Sequence, residues 1–161
     1  LMALKEALNY SLDDPISHYQ LGVIYQEMFI FDLAINEHTI YAETYKNDPI
    51  VYRLIGDSYF SLNNYQDAII NYRKASELYN YENIPSLYNL GNCYLKMNDL
   101  QNSAKYFKSV LRINHDHANA HSNLTNIYIS LNKFKEAKKE CDILFMLDRT
   151  LHNSIDYCNN Q

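Results

Sequence analysis

The chain has 161 residues, a formal net charge of −5, and only three glycines and three prolines. Apolar residues make up 47% of it, which excludes a disordered or collagen-like chain, and the length suits one compact domain or a short repeat array. Because there is no excess of Lys and Arg to neutralise a phosphate backbone, we do not expect nucleic acid as a partner.

The cysteines and the apolar runs bear on the cell compartment. The sequence has an odd number of cysteines, Cys93, Cys141 and Cys158, and no Cys-x-x-Cys pair. Both facts argue against a disulfide framework or a zinc ribbon. No apolar run approaches the roughly 20 residues that span a bilayer. The sequence therefore predicts an intracellular protein, cytoplasmic or nuclear, without membrane insertion. The chain begins at Leu1 without a charged leader, so it reads as a piece of a longer protein.

Four similar units follow one another from residue 15. In each unit an aliphatic residue and a small residue are followed three positions later by Tyr, and successive units are 34 or 35 residues apart. The residues that carry this pattern are Leu21, Gly22 and Tyr25; Ile55, Gly56 and Tyr59; Leu90, Gly91 and Tyr94; and Leu124, Thr125 and Tyr128. Self-similarity at this period is typical of repeat proteins built from helix pairs.

The second half of each unit repeats as well. A small residue lies between large ones, at Phe31 and Ala34; Tyr65, Ala68 and Tyr72; Leu100, Ser103 and Phe107; and Phe134, Ala137 and Cys141. From these residues the chain resembles the tetratricopeptide repeat family over essentially its whole length. The resemblance implies an all-α fold, an α-α superhelix in which each repeat is one helix-turn-helix unit.

The phase of the pattern predicts how the array is divided. We expect four repeats at 15–48, 49–83, 84–117 and 118–151. Residues 1–14 look like the second helix of a preceding repeat, and residues 152–161 look like the start of a following one. The whole chain, 1–161, is then a single array taken from a longer solenoid.

The turn inside each repeat differs in the first unit. Asn63, Asn98 and Asn132 occupy equivalent positions after the first helix, where Asn tolerates the left-handed conformation that ends a helix. The first repeat has Phe29 there, followed by Ile30, in a turn that would otherwise be polar. Two interpretations stay open: these side chains fold back under a neighbouring element, or they form an exposed convex or edge contact for a partner or a second copy.

The sequence offers no constellation of catalytic residues. His115, His117 and His121 form the only cluster that looks metal-binding, but the first two fall in a connection between repeats and His121 takes a packing position. The three glycines all lie in the packing pattern, so no Gly-rich phosphate loop exists. We expect no enzyme activity, no metal and no cofactor. The charged residues from Lys133 to Glu140 are expected to face solvent.

In the family that the chain resembles, the first helix of each repeat lines a concave groove that takes up peptides. Helical spacing from the packing residues then selects the side chains that face this groove. They are Tyr19, Gln20, Val23, Arg53, Asp57, Tyr88, Asn89, Asn92, Lys96, Asn123 and Asn126. This set is neutral and mixed, and we expect Tyr19 and Tyr88 to dominate the binding energy.

The asparagines of the groove recur with the repeat. Asn89 and Asn92 return 34 residues later as Asn123 and Asn126, so four carboxamides should form a ladder. A carboxamide both donates and accepts, so such a row can pair with the backbone of an extended peptide. It is similar to the asparagine ladders of superhelical tetratricopeptide arms. The alternative is composition, because 20 of the 161 residues are Asn and 17 of these follow Leu62.

A dicarboxylate clamp, the mode in which this family holds acidic C-terminal tails, fits poorly because Tyr19 and Val23 occupy its first Lys and Asn positions. The sequence therefore predicts a non-catalytic scaffold that binds an extended segment of a protein partner. Two alternatives stay open. The chain could be a structural arm of a large assembly, packed through its convex face, its ends and Phe29 with Ile30. It could also be the substrate-selecting arm of an enzyme whose catalytic domain lies elsewhere.

Overall fold

The structure is a computed structural model that describes residues 14–159, and within this range the chain is entirely helical apart from turns. Eight long helices form four consecutive helix pairs, and two short helices follow. The long helices are α1 (Pro15–Glu27), α2 (Phe31–Thr44), α3 (Pro49–Ser61), α4 (Tyr65–Leu78), α5 (Ile84–Lys96), α6 (Leu100–Ile113), α7 (Ala118–Ser130) and α8 (Phe134–Leu147); the short ones are α9 (Arg149–Asn153) and α10 (Asp156–Asn159). The all-α fold expected from the repeat pattern is confirmed.

The helices divide into two compact units. Unit 1 ends at Tyr81 and contains α1 to α4, and unit 2 begins at Glu82 and contains α5 to α10. Each unit holds two helix pairs, and within a pair the two helices pack on each other more extensively than on any other helix. The predicted helix at residues 1–14 lies outside the described residues except for Asp14.

The first helix of each pair starts at a residue that suits a helix N-terminus. Asp14, Asp48 and Asn83 each accept a hydrogen bond from a backbone N–H of the first turn, and Pro follows in that turn. Such caps satisfy backbone donors that have no partner inside the helix, and Pro is pre-organised for the position. His117 does the same for α7, because its Nδ1 accepts from the backbone N–H of Ala120 over 3.2 Å.

The turns between paired helices confirm the prediction for the asparagines. Asn63, Asn98 and Asn132 have φ of 59°, 60° and 55°, and Phe29 adopts the same left-handed conformation with φ of 60°. In the first turn the N–H of Phe29 donates to the Gln26 carbonyl over 2.9 Å, and the next N–H donates to the Tyr25 carbonyl over 2.8 Å. The other three turns repeat this pair of bonds, which is the usual way to close a helix with a left-handed residue.

Small residues let the helices of a pair approach closely. A Cβ built on Gly22, Gly56 or Gly91 would lie within 2.7 Å of an aromatic ring on the second helix of the same repeat. The rings belong to His38, Tyr72 and Phe107, respectively. In the fourth repeat Thr125 takes the position of the glycine and Cys141 takes the position of the ring, and both are buried.

His38 is the exception in this layer, because it places a polar ring where the next two repeats have Tyr72 and Phe107. It is completely buried, and neither ring nitrogen has a well-formed hydrogen bond. Burial lowers the pKa of His38 to about 4, against a smaller opposing contribution from the Tyr19 backbone. The imidazole is therefore neutral and poorly satisfied.

The C-terminal segment corrects the cysteine prediction. Cys141 on α8 and Cys158 on α10 form a disulfide, and both are buried with Leu144 and Ile155. The sequence argument against disulfides was wrong because an odd number of cysteines still leaves one pair, and only the fold brings α10 back onto α8. Cys93 is buried and outside the disulfide. Since disulfides persist in oxidising compartments, the cysteines no longer argue for a reducing one.

Residues 149–159 form two short helices joined at Ser154 and Ile155. Leu151 and Tyr157 pack around the disulfide cluster. No helix among residues 14–159 combines the length and the apolar character that crossing a bilayer requires.

Candidate peptide-binding site

The four asparagines of the proposed ladder lie on the first helices of unit 2. Asn89 and Asn92 are on α5, and Asn123 and Asn126 are on α7. Asn126 is exposed, and the other three are half-buried. Lys96 is exposed in the last turn of α5, where a cation complements the negative end of the helix dipole. Unit 2 therefore carries amides at two equivalent levels of consecutive repeats.

Tyr88 joins the two helices of this surface. The amide nitrogen of Asn123 donates to the Tyr88 hydroxyl over 3.2 Å. The Tyr88 ring lies 5.4 Å from the ring of Phe107 and 5.1 Å from that of His117, measured between centroids. Tyr88 is thus half-buried and orients an amide of the ladder, in addition to presenting part of its ring on the surface.

In unit 1 the predicted groove residues of α1 are arranged around Tyr19. Its ring lies 5.1 Å from that of Tyr41 and 5.7 Å from that of His38, so the side chain is half-buried against α2. Gln20 is exposed and Val23 is half-buried. Tyr19 therefore contributes to packing as well as to the surface.

Arg53 and Asp57 on α3 bind each other. The Arg53 guanidinium donates to the Asp57 carboxylate over 2.6 Å, and the Tyr72 hydroxyl donates to the other carboxylate oxygen over 2.7 Å. Both charged side chains are about one-third exposed. Because the cation is paired within its own helix, this part of unit 1 is close to neutral.

Two His–Glu pairs were missed by the sequence analysis. His18 donates to Glu37 over 2.6 Å, and His121 donates to Glu140 over 2.5 Å, in both cases from the first helix of a repeat to the second. The Glu140 carboxylate is half-buried, so the prediction that it faces solvent was wrong. The signal was present in the sequence, because each Glu follows its His by 19 residues at the same place in the repeat.

The contacts of His121 favour its protonated, positively charged form. Its second ring nitrogen lies 2.8 Å from the carbonyl oxygen of His115. A carboxylate and a carbonyl only accept, so both ring nitrogens must carry hydrogen. Burial opposes the charged form, but the hydrogen bonds to Glu140 and to the His115 carbonyl outweigh it and raise the pKa of His121.

Two of the three histidines that the sequence suggested as metal ligands, His117 and His121, make hydrogen bonds within the fold instead. His121 contacts Glu140 and the His115 backbone, and His117 caps α7. Among residues 14–159 no group of three or more His, Cys, Asp or Glu side chains is placed to hold a metal ion.

A basic cleft in unit 2 was also missed. Lys105, Lys108 and Lys133 line a cleft of about 400 Å³, and Tyr128 and Leu131 contribute to its wall. The Lys108 ammonium lies 5.5 Å from the centroid of the Tyr128 ring. These lysines come from two elements, α6 and the turn before α8, so linear charge counting does not reveal the cluster.

Comparison with known proteins agrees with the repeat architecture. Models of the tetratricopeptide repeat match residues 84–117 and 51–81. A TPR repeat-containing protein of Methanocaldococcus jannaschii is 26% identical over 117 residues, which cover 73% of this chain and 20% of the relative. The anaphase-promoting complex subunit CDC16 of Saccharomyces cerevisiae is 28% identical over 123 residues, 73% of this chain and 15% of that protein. The chain thus spans a fifth or less of the length of these relatives.

Solved structures show the same fold at low sequence identity. The crystal structure of MamA has a TM-score of 0.85 at 19% identity, covering 92% of this chain and 86% of MamA. YrrB, described as a TPR protein with an unusual peptide-binding site, has a TM-score of 0.75 at 17% identity, covering 91% of this chain and 75% of YrrB. The matches identify residues 51–81 and 84–117 as tetratricopeptide repeats. The helix pairs and the solved structures show that the described residues have the tetratricopeptide repeat fold.

Proposed function

We propose that the chain is a non-catalytic protein-interaction scaffold that binds an extended segment of a partner protein along the first helices of its repeats. The observation that carries the proposal is the recurrence of Asn89 and Asn92 as Asn123 and Asn126 at equivalent positions of α5 and α7. The peptide-binding site described for YrrB supports such a role on this fold.

The chemistry of the amides suits a peptide backbone. Each carboxamide has two N–H donors and an acceptor oxygen, so it pairs with both groups of a peptide unit. The Tyr88 hydroxyl accepts a hydrogen bond from the amide nitrogen of Asn123. This bond fixes the orientation of the amide group and therefore also of the Asn123 carbonyl oxygen. An oriented amide loses less conformational freedom on binding than a mobile one.

The charge of the surface favours a segment that is not strongly charged. Arg53 is paired with Asp57 in unit 1, and Lys96 is the one cation among the predicted groove residues of unit 2. Recognition would then depend on backbone hydrogen bonds and on partial burial of aromatic faces at Tyr19 and Tyr88.

The test is affinity capture from a lysate of the source cells, followed by mapping of the captured protein on overlapping peptides. The full chain is compared with a variant in which Asn89, Asn92, Asn123 and Asn126 are all Ala. A matched control replaces Asn36 and Asn47, two exposed asparagines outside the first helices, with Ala. We expect the quadruple variant to lose the mapped peptide and the control to keep it. Equal capture by all three proteins would contradict the proposal.

A second candidate function is that of a structural arm in a larger assembly. It is favoured by the exposed Phe29 and Ile30 and by the similarity to an anaphase-promoting complex subunit. Replacing Phe29 and Ile30 with Ser should then abolish co-purification of sister subunits while the circular dichroism spectrum keeps its helical shape. Retention of the same subunits by this variant would exclude Phe29 and Ile30 as the assembly contact.

A further inference from the structure

The turn of the first repeat places a large apolar side chain in a conformation that does not suit it. Phe29 has φ of 60° and is 79% exposed, whereas the equivalent positions hold Asn63, Asn98 and Asn132. The left-handed region is unfavourable for residues with a bulky side chain, and Asn tolerates it. Packing does not account for Phe29 at this position, because most of its surface faces solvent.

Neighbouring side chains extend this exposed apolar surface. Met28, Ile30 and Leu33 are 44%, 37% and 43% exposed, and the Phe29 ring lies edge-on to Phe31 at 6.1 Å between centroids. We call Met28, Phe29, Ile30 and Leu33 the Phe29 patch. Ile30 is the N-cap residue of α2 and supplies no side-chain cap, whereas Asn64 and Asp99 supply one in the next two repeats. Both turn residues are thus apolar at positions where polar residues would serve the fold better.

The surroundings of the Phe29 patch are acidic. Glu27 and Asp32 flank it and are exposed. From residue 14 to residue 45 the sequence has five carboxylates, at Asp14, Glu27, Asp32, Glu37 and Glu43, and no Lys or Arg. Glu37 is paired with His18, but Glu27 and Asp32 lie next to the patch in the sequence and carry their charge beside it.

We infer that the Phe29 patch docks a short segment of a partner protein that carries a large apolar side chain between Lys or Arg residues. The apolar side chain would bury against Phe29, and the cations would meet Glu27 and Asp32 at the rim, which is the usual division between the centre and the edge of an interface. A symmetric contact between two Phe29 patches fits less well, because it would bring the acidic rims of both copies together.

This inference goes beyond the groove proposal and uses none of its residues. It deepens the second candidate by giving the chemistry of the contact. The docking inference and the structural-arm function can fail separately, because an assembly contact through Phe29 does not require a basic partner.

The test uses a phage library of random short peptides selected against the full chain. The library is first depleted on a Phe29→Asn variant, which removes peptides that bind elsewhere, including the groove. We expect the remaining binders to share an aromatic or aliphatic residue flanked by Lys or Arg. A synthetic peptide of the consensus should bind the Phe29→Asn variant about tenfold or more weakly, as for a central interface residue.

Two further proteins test the charge and the specificity of the effect. A Glu27→Gln, Asp32→Asn variant should bind the consensus peptide more weakly, and added salt should weaken binding to the wild type more than to this variant. Met146→Asn is the matched control, because Met146 is 81% exposed and outside the patch, and it should leave binding unchanged.

Three results would overturn the inference. They are a depleted library that yields no binders, a consensus without basic residues, and a wild-type chain that forms dimers in sedimentation which Phe29→Asn abolishes. Misfolding is controlled by the choice of substitution, because Asn is the residue that the other three turns use in the same conformation. A matching circular dichroism spectrum and a cooperative unfolding transition, at or above the wild-type midpoint, confirm that the variant is folded.

Discussion

The Nδ1 atom of His121 lies 2.5 Å from a carboxylate oxygen of Glu140, while Nε2 of the same ring faces the His115 carbonyl oxygen at 2.8 Å. Because both partners accept, the two hydrogen bonds form together only when His121 is protonated, so the stability of unit 2 depends on pH. The raised pKa of His121 means that the folded state holds this proton more tightly than the unfolded state. The stabilisation is therefore complete below the unfolded pKa of about 6.5 and is lost as the pH rises through the folded pKa of His121.

A Glu140→Gln variant tests this dependence. Glutamine keeps an acceptor oxygen but removes the negative charge, so the pKa of His121 should fall. The unfolding free energy of the variant should then no longer decrease as the pH rises through the folded pKa of the wild-type His121. We expect a loss of about 1–3 kcal/mol at low pH, as for hydrogen bonds to charged groups. Chemical denaturation across a pH series measures it, with NMR titration of the His121 ring. Glu136→Gln, at an exposed position of the same helix, is the control and should behave as the wild type.

His38→Phe is expected to stabilise unit 1. Phe removes two poorly satisfied ring nitrogens and fits beside Gly22, because Phe107 faces Gly91 in the same way. The gain should be about 1–3 kcal/mol, the usual cost of an unsatisfied buried polar group. Thermal unfolding of the two proteins measures the difference, and a less stable variant would show that His38 is better satisfied than its contacts indicate.

The same substitution should change the acid sensitivity of unit 1. Between pH 6.5 and about 4 the unfolded His38 binds a proton that the folded one does not, so wild-type stability falls as the pH drops through this range. The Phe variant lacks this loss. Unfolding free energies of the two proteins, measured at several pH values in this window, should therefore fall less steeply with decreasing pH in the variant than in the wild type. An unchanged pH slope in the variant would contradict the prediction.

Phe29→Asn should stabilise the first repeat even though it removes the centre of the patch. Relief of the left-handed strain contributes about 1 kcal/mol. Ile30→Asp should add a helix cap to α2 and about 1 kcal/mol more. Denaturant unfolding measures both changes, with Met146→Asn as the control for removal of an exposed apolar side chain. A variant that is less stable than the wild type would mean that Phe29 packs more strongly than its exposure indicates.

The disulfide between Cys141 and Cys158 should stabilise the C-terminal end of unit 2. It closes a loop with a sequence separation of 17 residues, and loops of this size are worth about 3 kcal/mol in the chain-entropy description. A Cys158→Ser variant, or treatment with a dithiol reductant, should lower the unfolding temperature, whereas Cys93→Ser should leave the reductant response intact. Alkylation followed by mass spectrometry should find one reactive thiol per unreduced, unfolded chain, and three would show that the disulfide is absent.

The repeat architecture follows from the amino-acid sequence alone. Paired helices are neighbours along the chain, so their packing residues recur at a fixed spacing. Gly91 and Phe107 are one instance of this pattern, and the fourth repeat has Thr125 and Cys141 at the same two positions. The left-handed turns at Asn63, Asn98 and Asn132 were equally predictable, because the backbone conformation of a helix end depends on local residues.

Contacts between side chains that the repeat pattern does not specify were decided by the tertiary structure. Helical periodicity places Tyr88 and Asn123 on a surface, but the rotamers that let one donate to the other depend on Phe107 and His117 packing beside them. The pairing of Cys141 with Cys158 needed α10 to fold back onto α8, and the sequence left the exposure of Phe29 undecided between two alternatives. In each case the deciding interaction joins residues from different elements, and its energy depends on distance and burial, which exist only once the helices have packed.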